Sequence, residues 1–230
     1  MPVPPQLRAV VFDLDGLMFN TEELYQYVGG ELLRRRGKAF EPELLDQMMG
    51  RPPRVALQMM IDWNGLEDTP AQLATETEAI FAEILDTRLE CMPGLIDLLD
   101  ALEEHRIPKA IATSSGRRFV ANVLARFDFE PRFDFILTAE DVVEGKPHPE
   151  IYLTAAERFG VPPWQVLVLE DSENGCKAAV AAGTFAIAVP GGHSCRHDFT
   201  GVTMKVNTLA DTRIFEALGI PVRRRSERVA

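Results

Sequence analysis

Asp13 and Asp15 stand two residues apart at the end of a short apolar run, Arg8-Ala9-Val10-Val11-Phe12. Later come Thr113-Ser114-Ser115, then Lys146 before Pro147, then Glu170-Asp171. A carboxylate can ligate a hard cation, move a proton or attack an electrophile. The Thr113 hydroxyl, and the backbone N–H groups of Ser114 and Ser115 at a helix start, suit an anion. The Lys146 ammonium can neutralise oxyanion charge. Together these groups fit chemistry on a phosphoryl group. Asp13 is the candidate to attack phosphorus. Asp15, two residues on along an extended chain, is the candidate to protonate the departing oxygen and later deprotonate water. Magnesium takes one or two carboxylates with water and phosphate oxygens, which Asp13 with Asp171 or Glu170 supplies.

These residues are distant in sequence, so the fold must gather them. The run ending at Asp13 reads as a buried parallel strand. From Thr21 to about Arg88 the apolar spacing becomes helical, with glycine and proline breaks, and predicts about four helices. Beyond Pro93-Gly94 the pattern predicts helices over 95–104, 117–127, 151–159 and 174–182. Strands are predicted over 109–113, 133–137, 166–169 and 185–189. Such alternation implies βαβ units: an α/β class fold with a doubly wound, Rossmann-like parallel sheet and an inserted α-helical cap. The expected boundaries are 1–19 and 89–220 for the core, 20–88 for the cap, and a frayed tail over 221–230. Asp13/Asp15, Thr113-Ser114, Lys146 and Glu170-Asp171 all follow strand ends, at the edge where open α/β sheets bind ligands.

Asp13-Leu14-Asp15-Gly16, Ala112-Thr113-Ser114-Ser115, Gly145-Lys146-Pro147-x-Pro149 and Glu170-Asp171-Ser172 resemble, in order and spacing, the four motifs of the haloacid dehalogenase superfamily. The resemblance spans roughly residues 8–192. The helical insertion after the first motif is similar to the cap of the β-phosphoglucomutase-like branch. The resemblance implies Asp13 as nucleophile, Asp15 as acid–base, and Thr113 and Lys146 as phosphate ligands. It implies magnesium held by Asp13, the Asp15 carbonyl and Asp171, with Glu170 nearby. The substrate-binding set then comprises Gly16, Thr21, Gly50, Arg51, Arg54, Thr113, Ser114, Ser115 and Lys146. The expected activity is hydrolysis of small phosphate monoesters of sugar-phosphate or phosphoglycolate type, with a phosphomutase as the alternative. Dehalogenation ranks lower, because a halide leaves without the proton that Asp15 supplies. A non-catalytic phosphate-binding module has no need of the full acid set. Three positions depart from the family pattern. Asn20 replaces a common aspartate, Pro53 an arginine frequent in sugar-phosphate enzymes, and Tyr25 a histidine that β-phosphoglucomutase uses to couple sugar binding to catalysis.

The formal charge of −11 disfavours nucleic acid and anionic membranes as partners. It leaves a small phosphorylated metabolite, drawn to a locally positive site. Oligomeric state is not readable. Three scattered cysteines, Cys91, Cys176 and Cys195, read as reduced thiols, and the N-terminus lacks a signal-peptide pattern, so a cytoplasmic location is expected. Plainer readings compete at single positions. Asp-x-Asp-Gly can be a turn, and Thr113-Ser114-Ser115 or Glu170-Asp171-Ser172 a helix cap. His193, Cys195 and His197 lack a fourth zinc-like partner and read as a loop near the site mouth. Arg34-Arg35-Arg36 reads as a solvated helix end. Met48-Met49 and Met59-Met60 read as cap core.

Overall fold

The computed structural model describes residues 6–48, 53–192 and 194–221. The chain opens with β1 (Ala9–Phe12). Four helices follow: α1 (Thr21–Arg35), α2 (Pro42–Met48), α3 (Pro53–Asn64) and α4 (Pro70–Arg88). It continues through α5 (Leu95–Glu104), β2 (Lys109–Ala112), α6 (Arg117–Ala125), β3 (Phe135–Leu137) and α7 (Glu150–Phe159). It ends with β4 (Val166–Glu170), α8 (Glu173–Ala181), β5 (Phe185–Ala188), β6 (Met204–Lys205) and α9 (Thr212–Ala217). Two compact units result: Met1–Phe19 with Cys91–Ala230, and Asn20–Glu90.

The first unit is a six-stranded, all-parallel sheet in the order β3-β2-β1-β4-β5-β6. This is the doubly wound α/β fold that the alternating pattern predicts. Every residue of β1, β2 and β4 is buried, which is why they read as apolar runs, with Lys109 opening β2 and Glu170 closing β4. On one face, Val11, Val168 and Ala186 pack with Ile151, Tyr152 and Ala155 of α7 and Ala178 and Ala179 of α8. Small residues on α8 let that helix lie close to the strands. Helix α5 buries Leu95, Leu98, Leu99 and Leu102, one stripe at helical spacing. Each such leucine contributes about 1.5–3 kcal/mol by leaving water. The sequence pattern missed β6 and α9. A two-residue strand is too short to show alternation, and α9 has six residues. The stretch 222–230, expected to fray, lies outside the described residues.

The chain leaves this unit at Phe19 and returns at Cys91, and these two residues form an antiparallel bridge. Met92 N donates to Met18 O at 2.8 Å beside it.

The helical unit buries Leu24, Val28, Leu32 and Leu33 of α1 and Leu73, Ile80, Phe81, Ile84 and Leu85 of α4. Helix α4 starts from a capping box, Thr69 with Gln72, and has Pro70 in its first turn. Met60 belongs to the core and Met59 is half-buried. Arg34, Arg35 and Arg36 are not a bare solvated end. They pair with Glu31, Glu76 and Asp68 at 2.6–2.9 Å. The Asn20 substitution has a physical account. Its Nδ2 donates to Arg88 O at 3.1 Å and its Oδ1 accepts from Glu90 N at 2.8 Å. An aspartate accepts only, so it cannot make both bonds.

Candidate active site

Strand β1 ends one residue before Asp13, whose N–H still donates to Leu169 O of β4 at 3.0 Å. Its carboxylate is therefore delivered at the C-terminal edge of the sheet centre, and it is 7% exposed. Gly16 sits at φ 75°, a left-handed conformation that glycine adopts without strain, and it closes the turn by donating to Phe19 O. Glu170 ends β4 and Asp171 follows it, both buried. Oxygen atoms of Asp13, Glu170 and Asp171 all lie within 4.8 Å of one another.

Lys146 brings one positive charge into this acid cluster. Its Nζ donates to Asp13 Oδ1 at 2.5 Å, Glu170 Oε1 at 2.7 Å and Ala112 O at 2.9 Å. All three ammonium hydrogens are thereby placed. Burial opposes the ammonium, but the charges of Asp13 and Glu170 raise its pKa above the ordinary lysine value. Burial pushes the Asp13 carboxyl well above the usual aspartate range. Lys146 pulls it down, and Glu170, Asp171 and Asp15 push it up again. The cluster is thus short of positive charge. Three carboxylates face one ammonium, and a divalent cation would balance them. The oxygen donors and their spacing fit such an ion.

Asp15 has a separate setting. Its Oδ2 accepts from Ser115 Oγ at 2.5 Å and Thr113 Oγ1 at 3.3 Å. Its carboxylate is not one of the three clustered acids; the sequence reading assigned its carbonyl to the metal. Ser115 contributes both its hydroxyl and its backbone N–H here. Its backbone N–H, expected to face an anion, donates to Thr113 Oγ1 at 3.0 Å. Nor does Thr113-Ser114-Ser115 cap α6. The N-cap is Gly116, and the Glu140 carboxylate accepts from Arg117 N at 3.1 and 3.2 Å. Ser172 does cap α8, accepting from Gly175 N at 3.1 Å. Exposed Ser114 lines a cavity of about 220 Å³ with Thr113, Val142, Gly145, Lys146 and Ile151.

The sheet edge therefore gathers Asp13, Asp15, Thr113, Ser115, Lys146, Glu170 and Asp171. Thr21 and Arg54 belong to the helical unit, Thr21 buried as the first residue of α1 and Arg54 exposed on α3. Gly50, Arg51 and His193 lie outside the described residues. Cys195 and His197 join no potential metal group among the described residues. Sequence reasoning missed Tyr152, whose hydroxyl donates to Glu170 Oε1 at 2.6 Å. It also missed Gly175, where a Cβ would collide with the Glu170 carboxylate. The apolar spacing of α7 marks Tyr152 as inward-facing but says nothing of its hydroxyl.

Fold, gathered residues and sequence agree on a class: the chain belongs to the haloacid dehalogenase-like hydrolase family, whose model matches residues 10–189. Among its relatives is a phosphorylated carbohydrates phosphatase of Thermotoga maritima, 35% identical over 77% of this chain and 82% of that one. A Drosophila melanogaster protein, provisionally named a pseudouridine-5'-phosphatase, is also 35% identical, over 92% of this chain and 93% of its own. Of solved structures, one from Thermotoga maritima, provisionally named a beta-phosphoglucomutase, is 30% identical. It aligns over 93% of this chain and 97% of its own with a TM-score of 0.77. No helix among the described residues is long and apolar enough to cross a membrane.

Proposed function

We propose that the protein is a magnesium-dependent phosphatase of small phosphorylated metabolites that works through an aspartyl-phosphate on Asp13. As an enzyme it is a hydrolase of phosphate monoesters. The observation that carries the reading is the Asp13 carboxylate, buried, held by Lys146 and clustered with Glu170 and Asp171. An Asp13 oxygen attacks phosphorus as the ester P–O bond breaks, and Asp15 gives its proton to the departing oxygen. Asp15 then takes a proton from water, whose oxygen attacks phosphorus and displaces Asp13, releasing inorganic phosphate. Lys146 holds the Asp13 carboxylate in place and offsets the charge of the phosphoryl oxygens. Thr113 and Ser115 fix the Asp15 carboxylate through hydroxyl donors. Asp13, Asp171 and the Asp15 carbonyl, with Glu170 beside them, would hold magnesium, which supplies charge neutralisation at the phosphate.

Names of relatives support phosphorylated sugars as the substrate class, with residues 20–88 acting as the cap and Thr21, Gly50, Arg51 and Arg54 contributing to substrate binding. Free thiols at Cys91, Cys176 and Cys195 support a cytoplasmic location. Likeness to a structure named for β-phosphoglucomutase favours a second reading, a phosphomutase. Tyr25 weighs against it: its ring packs tilted on Phe81, centroids 4.7 Å apart, and cannot do an imidazole's work. The test measures p-nitrophenyl phosphate hydrolysis with magnesium, with a chelator, and after magnesium is restored. Expected are activity, loss and recovery; activity that survives chelation sinks the reading. Fast conversion of β-glucose 1-phosphate to glucose 6-phosphate without free phosphate makes the mutase the better description.

A further inference from the structure

Tyr152 is wholly buried on α7 and touches both partners of the Lys146–Glu170 ion pair. Its hydroxyl donates to Glu170 Oε1, the oxygen that also accepts from Lys146. Its ring faces the ammonium, with Nζ 5.1 Å from the centroid. The other Glu170 oxygen accepts from Ser172 N at 3.2 Å and Ser172 Oγ at 3.0 Å. Each carboxylate oxygen thus takes two donors, the capacity of the group. Gly175 leaves the space this arrangement needs.

We propose that Tyr152 is a positioning residue for phosphoryl transfer: it anchors Glu170 so that Glu170 holds the Lys146 ammonium beside Asp13. Without the hydroxyl, Glu170 Oε1 keeps a single donor, the ammonium itself. The ammonium is then drawn toward Glu170 and away from the phosphoryl oxygens. Hydrogen bonds linked in a buried network strengthen one another, so losing one weakens its neighbour. The inference deepens the phosphatase reading above and rests on it.

The experiment is a double-mutant cycle with Tyr152→Phe and Lys146→Ala, assayed with p-nitrophenyl phosphate across a magnesium chloride titration. Tyr152→Phe keeps the ring and the packing, and thermal melts check its fold. It should lower kcat by about tenfold, the size of one buried hydrogen bond to a charged group. KM and half-saturating magnesium should hold within about twofold, and Lys146→Ala should lose about two to three orders of magnitude. On the Lys146→Ala background, Tyr152→Phe should add less than about twofold, because the group it acts through is gone. Three results overturn the inference alone: wild-type kcat in Tyr152→Phe, full additivity in the cycle, or a loss that extra magnesium restores. Wild-type activity in Lys146→Ala brings down the phosphatase reading, and this inference with it.

Discussion

Both units carry exposed ion pairs, but only the α/β unit, among the described residues, also buries a cluster of charges. In the α/β unit, Asp13, Glu170 and Asp171 are buried, as is the Lys146 side chain, and the Lys146–Asp13 bond joins residues 133 positions apart. In the helical unit, Glu31 pairs with Arg34 and Arg35 one turn away, and Arg36 reaches Asp68 and Glu76, all on partly exposed side chains. Desolvating the first set costs several kcal/mol per ion. Exposed pairs cost little and contribute about 0–1 kcal/mol each. A fold that keeps the costly set while its net charge is unbalanced keeps it for chemistry, whereas the cheap set serves stability and solubility. Mutations should separate these two roles.

Asp13→Asn should show the largest effect, a loss of at least about four orders of magnitude in kcat, because an amide is a poor nucleophile. Circular dichroism should stay native, and near-normal turnover in folded protein would remove Asp13 from the mechanism. Next comes Asp15→Asn, at about two to four orders of magnitude with alkyl phosphates. The deficit should shrink with p-nitrophenyl phosphate, whose phenol leaves without much help. Equal deficits on both substrates would mean that Asp15 does not protonate the leaving group. In the helical unit the strongest effect is expected at a neutral group. Asn20→Asp removes the donor to Arg88 O and sets a carboxylate against that carbonyl, at a cost of about 1 kcal/mol. The melting temperature should fall by roughly 2–4 °C; an unchanged melt would show that the amide's two bonds contribute nothing.

The smallest effect belongs to the exposed ion pairs. Hydrogen bonds from Arg34 and Arg35 lower the Glu31 pKa from 4.5 to about 2. A folded pKa below the unfolded one means stabilisation present above about pH 4.5 and lost as pH falls toward 2. Glu31→Gln should therefore melt slightly below wild type at pH 7. The gap should narrow below pH 4.5 and in high salt. A gap that widens on acidification contradicts this sign.

Most of the α/β unit was legible because its strands are buried on both faces and its acids interrupt apolar runs. Asp13, Lys146 and Glu170-Asp171 each have a plain reading alone, as turn, solvated loop lysine or helix cap; what marks them is their order and their common place after strand ends. Choices among hydrogen bonds were not legible. Ser115 offers both an N–H and a hydroxyl, and only the tertiary fold decides that the hydroxyl goes to Asp15 and the N–H to Thr113. Tyr152 looks apolar in the periodicity of α7, because spacing reports the face and not the tip of a side chain. Glu140 caps α6 from 23 positions away, beyond any local capping pattern.

The pairing of Phe19 with Cys91 matters for chain entropy. Strand β1 must find β2 across a long interval, Val10 opposite Lys109. A flexible loop of that length would cost conformational freedom on closure, with a logarithmic dependence on its size. Residues 20–90 are instead a folded piece whose own ends, Asn20 and Glu90, are tied together. To the sheet such a piece acts as a tight turn. The effective separation of β1 from β2 shrinks to the neck and α5, so a pairing that is remote in sequence becomes nearly local in topology.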